Sequence, residues 1–369
     1  ETGDQFEQFD ERRVYGGRNT LSRDLRAWGM PARLRMGAEL RHDDIGAVGL
    51  YKTRERQRLA TVREDAVRQT ASSFFIEHQV EIRESLRASA GIRYDRHDFD
   101  VRSNLAQNSG SAHDDIVSPK FTLIAGPWRE TEVFLNLGRG FHANDARGTT
   151  ITVDPTDGIT PAERVSPLVA ARGAEIGMRT AALPRTQLAA SVWMLELDSE
   201  LLYVGDAGFT EPNRASRRRG VELAAYVYPH PWLTIDADLA WSHARFSEED
   251  PAGDRIPNAI DRVVSMGVAF DHPGGWFAGA RLRHFGAAPL IEDGSVRSDS
   301  TTVVNLKAGY RFAGGLAVSL AAFNLLNARD NDITYFYESQ LSDEAAPVAD
   351  VHFHPIEPRS VRLTLEWRR

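Results

Sequence analysis

The chain has 369 residues, of which 42% are hydrophobic, with a formal net charge of −8 and no cysteine. The missing cysteines exclude disulfide frameworks and thiolate metal sites, and the acidic balance argues against a nucleic-acid partner. Mean hydropathy is −0.38, and no run of about 18 apolar residues is present, so no transmembrane helix is expected; a barrel strand hides its apolar half among polar residues and escapes that count.

Taken in chain order, the hydrophobic pattern has period two throughout and predicts about fifteen strands. They lie near 8–22, 31–42, 71–83, 86–100, 115–127, 130–141, 171–182, 186–197, 216–229, 232–246, 258–271, 275–285, 301–312, 315–327 and 357–368. In 86–95, Leu86, Ala88, Ala90, Ile92 and Tyr94 take one face, against Arg87, Ser89, Arg93 and Asp95. In 361–368, Val361, Leu363, Leu365 and Trp367 oppose Arg362, Thr364, Glu366 and Arg368. The wet face is heavily charged and the pattern never relaxes to a helical period. Such strands show apolar residues outward and line an aqueous or polar-filled interior, which makes the expected fold an all-β, antiparallel transmembrane β-barrel.

The connections alternate in length. Short ones carry turn residues: Arg83-Glu84-Ser85, Gly126-Pro127-Trp128, Leu183-Pro184-Arg185, Pro229-His230-Pro231, His272-Pro273-Gly274 and Ala313-Gly314-Gly315. Long polar stretches fall between them at 43–70, 101–114, 142–170, 198–215, 247–257, 286–300 and 328–356. Membrane barrels have this rhythm, with short periplasmic turns and long extracellular loops. Trp28, Trp128, Trp232, Trp276 and Trp367 all fall at expected short-turn ends. They form half of an aromatic girdle at a membrane interface, or else pack beside turns as aromatics do in any β-protein. An odd strand count does not close a bacterial single-chain barrel, so further strands are expected upstream. Glu1-Thr2-Gly3-Asp4 is neither basic nor apolar, so no signal peptide opens this sequence.

With the apolar face toward lipid, the interior receives Arg33, Arg35, Glu39 and Arg41, then Glu175 and Arg179, Asp236 and Asp238, Arg281 and Arg283, and Lys307 and Arg311. Both signs are present. Unpaired buried charge is too costly, so the interior holds water, a polar plug, or both. These charges either pair with one another along the wall or, at single arginines such as Arg281 and Arg283, contact a ligand. Gly37, Gly91, Gly177, Gly267, Gly279 and Gly309 share that face and either relieve curvature or admit a close-packed plug.

Several segments together resemble the barrel of the TonB-dependent outer-membrane receptors. They are Val117-Ser118-Pro119-Lys120, the run Gly138-Arg139-Gly140-Phe141-His142-Ala143-Asn144-Asp145-Ala146-Arg147-Gly148, Arg218-Arg219-Gly220-Val221-Glu222, Ile256-Pro257, Phe323-Asn324-Leu325-Leu326-Asn327 and Glu357-Pro358-Arg359. The resemblance covers nearly all of 1–369 and corresponds to the C-terminal part of a family barrel of about twenty-two strands. It implies import of a scarce ligand too large for porins, such as a metal chelate. A ferric siderophore comes first among the family's cargoes. It also implies an N-terminal plug, with a box ahead of it that contacts the TonB complex of the inner membrane; neither is in this chain. One departure concerns assembly: family barrels usually end on an aromatic residue, whereas Arg368 and Arg369 follow Trp367.

His142, Asn144, Asp145 and Arg147, at the mouth of a long loop, are candidate ligand contacts; the alternative is a cluster bracing loop to strand. His352-Phe353-His354 puts two imidazoles on one side of an extended segment, with Asp350 nearby. That chemistry suits zinc, copper or iron, but no third ligand is fixed, so His352 and His354 are kept as ligand-proximal candidates and no metal is assigned. Glu248, Glu249, Asp250 and Asp254 lack the ordered spacing of a calcium loop. Arg217-Arg218-Arg219 suits lipopolysaccharide phosphates or a solvated strand end. No nucleophile–base pair, phosphate loop or helical metal motif is present, so neither catalysis nor a cofactor is expected. A passive or surface-binding barrel without energy coupling is the alternative function. A soluble all-β binding protein would require the apolar face to be a core.

Overall fold

The computed structural model describes residues 5–204, 209–212, 214–340 and 344–368. The elements in chain order are β1 (Gln5–Ala27), β2 (Met30–Arg54), β3 (Gln57–Arg83), β4 (Leu86–Ser103), β5 (Gly110–Trp128), β6 (Thr131–Ala143), α1 (Ala146–Thr150), β7 (Leu168–Thr180), β8 (Thr186–Leu197), β9 (Leu201–Val204) and β10 (Phe209–Pro212). They continue with β11 (Ser216–His230), β12 (Leu233–Phe246), β13 (Arg262–Asp271), β14 (Trp276–Phe285), β15 (Thr301–Arg311), β16 (Leu316–Phe323), β17 (Asn331–Ser339), β18 (Val348–Pro355) and β19 (Ser360–Trp367). Fifteen strands form one sheet in the order β1 to β8, β11 to β16, then β19. The pairs β9–β10 and β17–β18 are separate hairpins inside connections.

Each of the fifteen expected strands has a counterpart in this sheet. The largest difference is at 43–70, expected as a loop, where β2 and β3 continue as a paired hairpin out to Arg54↔Gln57. Register shifts between Ile45/Val48, Leu50/Tyr51 and Lys52/Thr53 break the period-two pattern there. The turn itself is Glu55-Arg56, with φ of 52° and 64°. This is the left-handed geometry of a two-residue hairpin turn, built without the glycine or asparagine that usually announces one. The turn expected at Gly126-Pro127-Trp128 falls instead at Arg129-Glu130, with φ of 50° and 60°.

The chain divides into two compact units: Glu1–Ala125 with Leu135–Ala174 and Leu195–Ser216, and Gly126–Phe134 with Glu175–Met194 and Arg217–Arg369. In both, nothing among the described residues is packed over the apolar face of the sheet. In the first unit Phe74 is 63% exposed and Ile92 49%. In the second, Met266 is 53% exposed and Val361, Leu363 and Leu365 are 64–67% exposed. The soluble reading, which needs this face as a core, is not what the strands build. So much continuous exposed apolar surface marks contact with lipid or another apolar phase.

On the opposite face many of the charges are paired. Glu39 accepts Arg18 at 3.0 Å and Arg93 at 2.9 Å, and Arg93 also holds Asp95 at 2.8 Å. Lys120 meets Glu77, and Arg33 meets Asp24 at 2.6 Å. In the second unit Arg179 bonds Glu132 at 2.7 Å, and Arg311 grips Asp271 with contacts of 2.5 and 3.2 Å. Three of the six inward glycines have a local cause. A Cβ at Gly37, Gly177 or Gly309 would strike the ring of Phe75, Phe134 or Phe277. Each glycine is a slot for an aromatic ring from the neighbouring strand.

Candidate functional site

In the first unit the inward face changes character along the strands. It is charged at Arg41 and Arg93, then turns apolar at Ile45, Val67, Phe99 and Val101, which are 1–7% exposed and close with Ala146 into a small core. Each such side chain contributes about 1.5–3 kcal/mol by leaving water. This core seats the segment that carries four of the expected site residues.

That segment begins at the end of β6. Asn144, 5% exposed, donates from its own N–H to Pro167 O at 2.9 Å and from Nδ2 to Ser166 O at 2.7 Å. It thus ties the two ends of a long connection together. Asp145 caps α1, accepting from Arg147 N at 2.9 Å, and its carboxylate also takes Arg147 Nη2 at 2.7 Å. Burial alone would raise the Asp145 carboxyl, but the Arg147 guanidinium and backbone N–H, with Arg63 farther off, hold it below the usual aspartate value. Thr149 and Thr150 are buried, and Thr150 Oγ1 donates to Asn108 O at 2.9 Å.

Two partners of this cluster carry no signal in the sequence. Arg63 and Asp65 form an ion pair with side chains 1% and 0% exposed. Arg63 Nη2 reaches Arg147 O at 3.4 Å, and burial pushes its guanidinium down from the ordinary value. Arg63 Nη1, Asp65 Oδ1, His142 Nε2 and Asn144 Oδ1 are buried without a hydrogen-bond partner. Asn108, fully buried, accepts from Thr152 N at 2.9 Å and Val153 N at 3.0 Å and donates to Val153 O at 2.9 Å. His142, Asn144, Asp145 and Arg147 therefore sit in a braced, largely internal seat.

The other expected residues lie in the second unit and separate from one another. Arg281 is held by Asp236 with contacts of 2.5 and 3.2 Å and by Ser265 Oγ at 3.2 Å, so it belongs to the wall pairing. Arg283, one residue pair along β14, is exposed and lines a cavity of about 540 Å³ together with Asp332 and residues of β15 and β17. His354 Nδ1 shares a 2.8 Å hydrogen bond with Asp332 Oδ1. His352 stacks on Tyr337 with ring centres 3.8 Å apart. Among the described residues no group of three His, Asp or Glu side chains is placed to hold a metal ion. In the acidic stretch, Asp250 Oδ1 accepts Ala252 N at 2.8 Å and Asp254 faces Arg245 at 3.5 Å.

An antiparallel sheet with one bare apolar face and one ion-paired face, joined by alternating short turns and long structured connections, defines the wall of a β-barrel of the outer-membrane type. The sequence matches the family described as "TonB dependent receptor-like, beta-barrel" over residues 2–325, and the chain belongs to that family. Solved structures agree in fold. The ferric-catecholate import receptor Fiu of E. coli K12 is similar at a TM-score of 0.72 and 14% identity, covering 97% of this chain and 55% of that one. The siderophore receptor PiuA of Acinetobacter baumannii gives 0.72 and 12%, covering 98% and 56%. The copper transporter OprC gives 0.70 and 17%, covering 96% and 57%. The chain thus spans about half the length of the solved receptors it matches.

Proposed function

We propose that this chain forms wall and loop structure of an outer-membrane import receptor that takes up a scarce ligand with energy from the TonB complex. A ferric siderophore is the first candidate cargo. The observation that supports the reading is the pairing of arginines with carboxylates along much of the inward face. A wall whose arginines and carboxylates neutralise each other offers no single-sign ion path and leaves recognition to the loop ends. The outward apolar face meets outer-membrane lipid, the short turns face the periplasm and the long connections face outward. Coupling to TonB runs through plug and box segments N-terminal to the barrel, and no step of the reading calls for catalysis. Proteins named for ferric-catecholate, siderophore and copper transport share the fold, which supports a metal or metal chelate as cargo.

The test is growth and labelled-iron uptake under iron limitation by cells with and without the receptor, in backgrounds with and without TonB. Uptake of a ferric chelate that requires both proteins is expected. Uptake that needs the receptor but not TonB would leave a passive barrel, and uptake independent of the receptor would remove the siderophore assignment.

A further inference from the structure

Not every charge on the inward face of the second unit is paired, and one unpaired set lines an open cavity. Among the described residues, the side chains of Arg283 and Asp299 have no hydrogen-bond or ion-pair partner, and both line the same cavity of about 540 Å³. Its size falls within the range of about 300–1,000 Å³ typical of small-molecule sites. Four large apolar side chains also line it while remaining open to solvent: Ile260 and Phe285, each 38% exposed, Ile333 at 47% and Tyr335 at 50%. Arg283 shares the inward, ion-paired face of β14 with Arg281, so these apolar groups are not part of the bare lipid-side surface. Apolar surface facing water and left bare is costly unless something covers it.

The cavity is held open by its own framework. One wall is β14 and β15, where Arg283 pairs with Val303 and Phe285 with Thr301. The opposite wall is the start of β17, fixed by Thr301 Oγ1 donating to Asn331 O at 2.8 Å. The end of β18 is tied in by Ile356 N donating to Asp330 O at 3.1 Å. The connection from β14 to β15 is closed on itself: Ser298 N donates to Ala288 O at 2.9 Å, and Ala288 N to Ser298 Oγ at 2.9 Å. A pocket fixed in this way binds without an ordering cost of its own.

We propose that this cavity is a binding site for a flat aromatic acid carrying a hydroxyl or ammonium donor at its far end. The unpaired Arg283 guanidinium takes the carboxylate, since its planar fork matches that group. Phe285 and Tyr335 offer the aromatic contact and Ile260 and Ile333 the aliphatic contact that a ring requires. Asp299, and Asp332 beside His354, accept the donor. The site rests on the proposed function only in taking this face as water-lined, and its binding needs neither TonB nor an energised membrane. Failed import would leave it standing, and absent binding would leave import open.

The probe is 6-hydroxy-2-naphthoate, followed by its own fluorescence anisotropy against the protein in lipid nanodiscs, with empty nanodiscs as the blank. Saturable binding is expected. Arg283→Gln should weaken it about tenfold or more, as expected for a lost charged hydrogen bond. Tyr335→Ala should also weaken it, and Arg311→Gln, on the same wall but paired with Asp271, should leave it unchanged. Because Arg283 has no partner to lose, its substitution leaves folding intact, and retained heat-modifiable gel mobility checks that. Binding equal in wild type, Arg283→Gln and Tyr335→Ala, or no saturable binding by wild type, would overturn the proposal.

Discussion

The long-connection ends of the two units put the same inward face to opposite uses. In the first unit Ile45, Val67, Phe99 and Val101 sink to 1–7% exposure under α1, and the ionic pair Arg63–Asp65 is buried with them. In the second, Ile260, Phe285, Ile333 and Tyr335 stay 38–50% exposed around a cavity, and the side chains of Arg283 and Asp299 have no partner among the described residues. One end is a plug of protein packed on its own wall. The other is an opening. A charged inward face is therefore not uniformly an aqueous lining: where a connection folds back on it, the same face becomes a core, and elsewhere it stays open.

Substitutions at the two ends should differ in cost. The largest effect is expected at Arg63→Ala, which strands Asp65 in a dry site and costs about 3–5 kcal/mol in denaturant unfolding, whereas Arg63→Met with Asp65→Leu should be close to neutral. A harmless Arg63→Ala would mean that this end is wet. Phe99→Ala should cost about 3–5 kcal/mol as a buried aromatic, while Phe285→Ala, at 38% exposure, should stay within about 1 kcal/mol. Equal costs would erase the distinction between core and opening. Asn108→Ala removes the acceptor of Thr152 N and Val153 N and should cost about 2–3 kcal/mol, read as faster hydrogen exchange across 146–153.

The smallest effect is a pH dependence. Asp145 is held below its ordinary value of 3.8. Its contribution to stability is therefore complete above that value and lost as pH falls through the lower folded value. Acid should loosen α1 in the wild type, and Asp145→Asn should show weaker exchange protection at neutral pH and a flatter acid response. An unchanged acid slope in Asp145→Asn would remove Asp145 as the group holding the helix.

How much of this was legible in the sequence differed by element. β14 and β15 follow the alternation closely, with Ala280 and Leu282 against Arg281 and Arg283, and Leu306 and Ala308 against Lys307 and Arg311. The outer halves of β2 and β3 were hidden by three register shifts and by a Glu55-Arg56 turn that relies on neither glycine nor asparagine. β17, reading Asn331-Asp332-Ile333-Thr334-Tyr335-Phe336-Tyr337, has aromatic residues on both faces and so shows no clean period. At the candidate site, His142 to Arg147 could be picked out as a polar cluster. Its role as a brace depends on Arg63 with its partner Asp65, bonded to Arg147 across 84 positions, and on Asn108, bonded to Thr150 across 42. Arg281 and Arg283 look alike in sequence, and only the cross-strand position of Asp236 separates the paired arginine from the free one.

The two faces of the wall can be told apart along β15 (Thr301–Arg311). The chain has no cysteine, so single cysteines can be placed in turn at Val304, Asn305, Leu306, Lys307 and Ala308 and exposed to a membrane-impermeant maleimide in the membrane-embedded protein. Labelling at 305 and 307, with protection at 304, 306 and 308, is the expected result. Uniform labelling along the strand, or protection of 305 and 307 with labelling of 306, would contradict it.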